Sequence, residues 1–165
     1  MSEQISVTIP VLPHIKKYLD KNTFLKCNYD LSLNDNIGIF IMRLLDTAPK
    51  YYKPIKPGTD FYIGHRGGRV RAEIININLR GYINTGKTHI SSRSIHLFNS
   101  WVNDMIRREM YVYIESRLME RQREIKTIIL DFIDKYNFCD DELTYWSLER
   151  WYFRNKKKLQ ALDQQ

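Results

Sequence analysis

Arg121 to Lys158 reads RQREIKTIILDFIDKYNFCDDELTYWSLERWYFRNKKK, and its two halves carry different patterns. In the first, Ile125, Ile129, Phe132, Ile133 and Tyr136 recur at i, i+4, i+7, i+8 and i+11, the spacing that collects apolar side chains on one face of a helix. Asn137 to Glu142 breaks the period with Asn, Cys and two Asp, residues of turn chemistry. Thr144 then stands as an N-cap for a second helix. There Leu148, Trp151 and Tyr152 turn inward together, while Ser147, Arg150, Arg154 and Lys157 fall at i, i+3, i+7 and i+10 on another face.

A helix, a short polar connection and a second helix with one packed side and one basic side resembles the helix-turn-helix of DNA-binding proteins. The resemblance covers residues 121–158. Its connection, Phe138 to Leu143, is longer than the family's tight turn and contains no glycine. The resemblance implies that the second helix enters the major groove of double-stranded DNA. Ser147, Arg150, Arg154, Lys157 and Lys158 are then the candidate contacts. Arginine offers a planar fork that can grip a guanine edge or a phosphate, and lysine offers a mobile point charge. The small, basic, tyrosine-, lysine- and asparagine-rich character of the chain is also similar to accessory proteins of bacteriophages and mobile elements.

The rest of the composition bears on that reading. The chain has 165 residues, 26 Lys plus Arg against 19 Asp plus Glu, and a formal charge of +7, a balance that favours a polyanionic partner. The charge is clustered. Gly64 to Arg93 holds six basic residues (Arg66, Arg69, Arg71, Arg80, Lys87, Arg93) against Glu73, and Thr144 to Lys158 holds five against Glu149. An apolar fraction of 43% excludes a disordered tail, and no run of apolar residues approaches the length that crosses a bilayer. Only Cys27 and Cys139 are present, and Ser2 to Thr8 alternates with polar residues instead of forming a leader, so a reducing, cytoplasmic setting is expected, the host cytoplasm for a phage product.

Upstream of the opening stretch, Ile95, Phe98, Val102, Met105, Ile106, Met110, Tyr113 and Ile114 keep a helical spacing from Ser92 to about Glu120, flanked by Trp101 and Tyr111. Such a stripe makes a core or a homodimer seam. Farther back, Ile5, Val7, Ile9 and Val11 alternate with polar residues and Pro10, the pattern of an edge strand. Pro13 opens a helix over His14 to Lys21 that turns Ile15, Tyr18 and Leu19 inward, and Thr23 to Tyr29 could hold a strand. Ser32 and Asp35 form a capping-box-like pair ahead of Ile37, Phe40, Ile41, Leu44 and Leu45. A loop over Lys50 to Gly58, with Pro54 and Pro57, is a candidate boundary. Strands are expected at Phe61 to Ile63 and Val70 to Asn78 around His65-Arg66-Gly67-Gly68, a hairpin whose Arg66, Arg69 and Arg71 could reach along a phosphate backbone.

Gly81-Tyr-Ile-Asn-Thr-Gly86-Lys87-Thr88 fits the GxxxxGK[ST] pattern of P-loop nucleotide-binding proteins, and Asp131 ends a stretch similar to a Walker B strand. That family would hold phosphates on the backbone amides of 81–86 and on Lys87, with Mg²⁺ on Thr88 and Asp131. Yet a P-loop needs a helix that begins at the Lys and Thr, whereas these residues suit a short hairpin turning at Asn84 to Gly86, and Asp131 lies within a helical period that points it to solvent. His14, His65, His89 and His96 lack metal-ligand spacing. Neither catalysis nor a metal nor any other cofactor is expected.

The sequence therefore predicts an α+β protein: a small, mostly antiparallel sheet with short helices over 1–90, then a helical part over 91–165 ending in the helix-turn-helix-like pair. The expected function is sequence-specific binding of double-stranded DNA, as a transcriptional regulator or a replication or packaging accessory factor, without a membrane. Two alternatives are a non-enzymatic assembly protein of a virion or complex, using the 95–114 stripe as its interface, and a small P-loop protein.

Overall fold

A computed structural model describes residues 6–22, 29–50, 62–65, 68–120 and 124–162. The architecture is α+β, with five helices and seven short strands among the described residues. The chain divides into two compact units, 1–101 and 102–165.

Unit 1 begins with β1 (Ser6–Val11), whose alternation places Val7, Ile9 and Val11 in the core. Its antiparallel partner β6 (Glu73–Asn78) sets Ile77 opposite Val7 and Ile75 opposite Ile9. Cross-strand aliphatic pairs of this kind hold the register, because a slip of one residue would turn the set to the other face. β2 (Tyr29–Asp30) adds to the other side of β6 in parallel. Thus β1 is an edge strand, where Pro10, which has no amide to donate, is tolerated. Of the four strand pairings described, only β2 with β6 is parallel, and instead of one sheet there are three. The second pairs β3 (Leu45–Thr47) with β7 (Lys87–Ile90), and the third is the hairpin of β4 (Tyr62–His65) and β5 (Gly68–Arg71).

Several expectations are corrected at this point. Val70 to Asn78 is not one strand: the chain breaks at Ala72 and passes from β5 into β6, which belongs to a different sheet. The turn at Asn84 is a 3₁₀ turn over Ile83–Thr85, with Gly86 at φ 66°, and β7 leaves it to pair with β3 and not with β6. Leu45 leaves the helix for β3. The strand expected over 23–29 and the loop over 50–58 fall almost wholly outside the described residues.

α1 (Pro13–Lys21) has Pro at its start and buries His14, Ile15, Tyr18 and Leu19. α2 (Asn36–Leu44) is capped by Asp35, which accepts from the Gly38 amide at 2.7 Å; the Ser32 hydroxyl accepts from the Asn34 amide instead. Tyr29 donates to the other Asp35 oxygen at 2.5 Å, and burial, then this carboxylate, pushes the phenol's pKa up. Gly38 is required here. A Cβ at this position would lie 1.7 Å from the Ser32 carbonyl oxygen.

α3 (Ser92–Glu120) has 29 residues and runs through both units. In unit 1, Ile95 and Phe98 are buried, and Trp101 stacks on Phe40 at 4.3 Å. Asn99, 4% exposed, accepts from the Leu12 amide at 2.9 Å and donates to the Pro10 and Ile95 carbonyls at 3.1 and 2.9 Å. One amide side chain thereby joins the end of β1 to α3.

Unit 2 is the rest of α3 with α4 (Ile125–Tyr136) and α5 (Tyr145–Leu162). Val102, Ile106, Met110 and Ile114 of α3 are fully buried, as are Ile128, Ile129 and Phe132 of α4 and Leu148 and Tyr152 of α5. Most of the α3 stripe is thus covered within the protomer, with Met105 and Tyr113 half-buried. Asp131, expected in solvent, is half-buried because Ile128 joins the inward face beside it. No described helix is long and apolar enough to cross a membrane.

Candidate nucleic-acid interface

The end of α4 is set by Asn137, in the left-handed region at φ 54°, ψ 41°. The Phe138 amide donates back to the Ile133 carbonyl at 3.1 Å, the closure of a Schellman motif. Asparagine fills this role because its short polar side chain tolerates positive φ, so the connection needs no glycine. Phe138 and Leu143, both buried, anchor the two ends of the connection. Between them Cys139 and Glu142 close a turn, Glu142 accepting from the Cys139 amide at 3.1 Å. The longer connection is a packed element.

α5 then starts as its sequence demands. Thr144 Oγ1 accepts from the Ser147 amide at 3.1 Å, and Ser147 Oγ donates back to the Thr144 carbonyl at 2.8 Å, so the Ser147 hydroxyl is committed to the helix start. On the inner side, Tyr152 donates to Glu115 at 2.6 Å and its ring meets Tyr111 at 6.2 Å. Burial, followed by the Glu115 carboxylate, raises the Tyr152 pKa, so the hydroxyl stays protonated as the donor. Lys156 turns inward as well, 3.8 Å from Glu115. Glu149, the one acid of the 144–158 segment, accepts from Tyr145 at 2.5 Å, and the Tyr145 pKa is pushed to about 12 by burial and that carboxylate.

What is left on the outer side is basic. Ser147, Arg150, Arg154, Lys157 and Lys158 are all exposed, and no ion pair links the four cations to an acid among the described residues. Two residues that the sequence reasoning missed share this side: Trp146 and Phe153, 69% and 56% exposed. The signal was present, since Trp146 lies four residues before Arg150 and Phe153 three after it, positions that must share its face. Trp146, Arg150, Phe153 and Lys157 form one stripe at i, i+4, i+7 and i+11.

The other candidates are placed differently. Arg66 lies outside the described residues, and for Arg69 only its place in β5 is described. Arg71 is exposed in β5, opposite Tyr62. All three belong to unit 1, whereas the α5 residues belong to unit 2.

The 81–88 segment does not form a P-loop. Lys87 and Thr88 begin strand β7, and the helix that follows starts only at Ser92. Amides that would face a phosphate are used locally: Tyr82 donates to the Leu79 carbonyl, Thr85 to the Tyr82 carbonyl and Lys87 to Thr85 Oγ1. Asp131 lies inside α4, in the other unit. Among the described residues no group of three His, Cys, Asp or Glu is placed to hold a metal ion. No protein family, curated protein or solved structure matches the chain.

Proposed function

We propose that the protein binds double-stranded DNA sequence-specifically through the outer face of α5, as a non-catalytic regulator or a replication or packaging accessory factor. The observation that carries the reading is a division of labour on one helix. Leu148 and Tyr152 are fully buried, Lys156 is tied inward to Glu115 and Glu149 is engaged by Tyr145 one turn earlier, while Arg150, Arg154, Lys157 and Lys158 stand in solvent with no part in the fold. Four unpaired cations on a rigid rod cost self-repulsion and contribute nothing to the core; against a phosphate backbone they release counterions.

Titration of duplex DNA at several salt concentrations tests this. Affinity should fall log-linearly with salt. Arg150→Ala should cost about 1 to 3 kcal/mol at a cognate site and much less on random duplex if the guanidinium reads a base, or lower the salt slope by about one unit on every duplex if it meets a phosphate. Arg150 and Arg154 are exposed, so the variants should fold. Unchanged affinity in both Arg150→Ala and Arg154→Ala would overturn the proposal and favour the assembly reading.

A further inference from the structure

We propose that the α5 face also binds single-stranded nucleic acid, with unpaired bases stacked on Trp146 and Phe153 and the sugar-phosphate chain held by Arg150, Arg154 and Lys157. The inference rests on the reading of α5 as a nucleic-acid face and extends it to strands whose bases are free.

Trp146 and Phe153 are the most exposed rings on α5, at 69% and 56%. Each touches one neighbour edge-on, Tyr145 at 5.1 Å and Tyr152 at 5.3 Å, which fixes the ring without covering it. Neither ring serves the core, whose α5 contributors are Leu148 and Tyr152. Leaving a Trp and a Phe in water is unfavourable, so the partner that relieves it must cover flat apolar surface beside positive charge.

Order along the stripe narrows that partner. Ring, cation, ring, cation succeed one another at Trp146, Arg150, Phe153 and Lys157, and the two rings lie about 10 Å apart along the helix axis. A single strand of nucleic acid alternates in the same way, flat π faces with anionic phosphates. Base-on-aromatic stacking beside a basic track is how sequence-tolerant single-strand binders work. A lipid surface fits less well. It calls for a continuous apolar strip, and here each ring is separated from the next by an arginine. A duplex keeps its base faces stacked inside, where these rings cannot reach them without unstacking a step.

The test uses the full chain and three probes: a thymidine oligonucleotide of about 12 nucleotides, an abasic oligonucleotide of the same length, and a random-sequence duplex. The thymidine strand should bind, and Trp146→Ala and Phe153→Ala should each weaken it by about 5- to 150-fold. Trp146→Phe should retain most of the affinity, because the ring is kept. The unaltered protein should bind the abasic strand about as weakly as the Ala variants bind thymidine, a comparison that needs no variant to fold. Duplex affinity should change less than about twofold in the ring variants, while Arg150→Ala weakens both ligands.

Equal binding of abasic and thymidine strands would overturn the inference, since charge alone would then explain the affinity. So would an unchanged thymidine affinity in Trp146→Ala, or a duplex loss as large as the single-strand loss. Binding to anionic phospholipid vesicles that is lost in Trp146→Ala, with no oligonucleotide bound, would also overturn it in favour of a lipid surface. The duplex reading fails separately: Arg150→Ala and Arg154→Ala would then leave duplex affinity unchanged while the ring variants still lose the thymidine strand.

Discussion

The two units use their polar side chains in opposite ways. In unit 1 the polar groups join segments remote in sequence: Asn99 reaches Pro10 across 89 positions and Asn78 reaches Asp30 across 48. In unit 2 the longest such link described spans 41 positions, the ion pair of Lys156 with Glu115, and the next spans 37, from Tyr152 to Glu115. Three successive helices need no more than that, since neighbours in sequence are neighbours in space. Unit 1 consumes amides and carboxylates to hold short strands in place. Unit 2 closes with rings and aliphatic side chains, and the outer face of α5 is left with no structural duty. That difference is why the functional reading settles on α5 and not on the strands.

The comparison is tested most severely in the cores. Phe132 is fully buried and lies 5.6 Å from Tyr113, 5.2 Å from Tyr136 and 6.3 Å from Phe138, centroid to centroid. Phe132→Ala should cost about 3 to 5 kcal/mol in a urea unfolding curve followed by circular dichroism. A loss below about 1 kcal/mol would mean that the aromatic cluster is not what closes unit 2.

A second prediction concerns close approach in unit 1. Alanine in place of glycine inside a helix ordinarily gains up to about 1 kcal/mol. At Gly38 the sign should reverse, because the new Cβ would meet the Ser32 carbonyl at 1.7 Å and the Tyr29 hydroxyl at 2.8 Å. Backbone cannot swing aside as a side-chain end can, so Gly38→Ala should cost about 1 to 3 kcal/mol. A stabilised variant in the same unfolding assay would show that the start of α2 is not pinned against residues 29–32.

The same contrast explains what was legible in the sequence. Helical periodicity is a local signal, and it located α3, α4 and α5 together with most of their buried residues; Tyr111 and Ile128 are buried beyond the expected set, and Met105, Tyr113, Ile125 and Trp151 are only half-buried. It also located the basic side of α5. The exposed Trp146 and Phe153 were passed over because rings are assumed to be core, although their phase with Arg150 was readable. In unit 1 the strands were found where alternation was clean, as in β1. β3 has three residues and β7 four, too few for any period, and they pair across 40 to 45 positions of the chain. The roles of Asn99 and Asn78 had no local signature at all, since what fixes them is the carbonyl or amide that folding brings alongside. The P-loop-like 81–88 match failed for a related reason: the pattern names residues, while the function needs a helix directly after them.

The smallest expected effect is at the turn that sets α5 in place. Asn137 holds φ 54° and ψ 41°, a conformation that costs most L-residues about 1 to 2 kcal/mol and costs glycine nothing. Asparagine tolerates it through local bonding, and Asn137 has a further interaction of its own. Asn137→Ala should therefore lose about 1 kcal/mol. Asn137→Gly should be nearly neutral, within about 0.5 kcal/mol, as relief of the backbone is offset by a freer unfolded chain. The difference between the two variants isolates the backbone term, and equal stabilities would show that positive φ is not what ends α4. DNA affinity supplies a second readout. If this turn only sets the path from α4 to α5, Asn137→Gly should leave duplex binding unchanged, and a marked loss would move part of the interface from the α5 face into the connection.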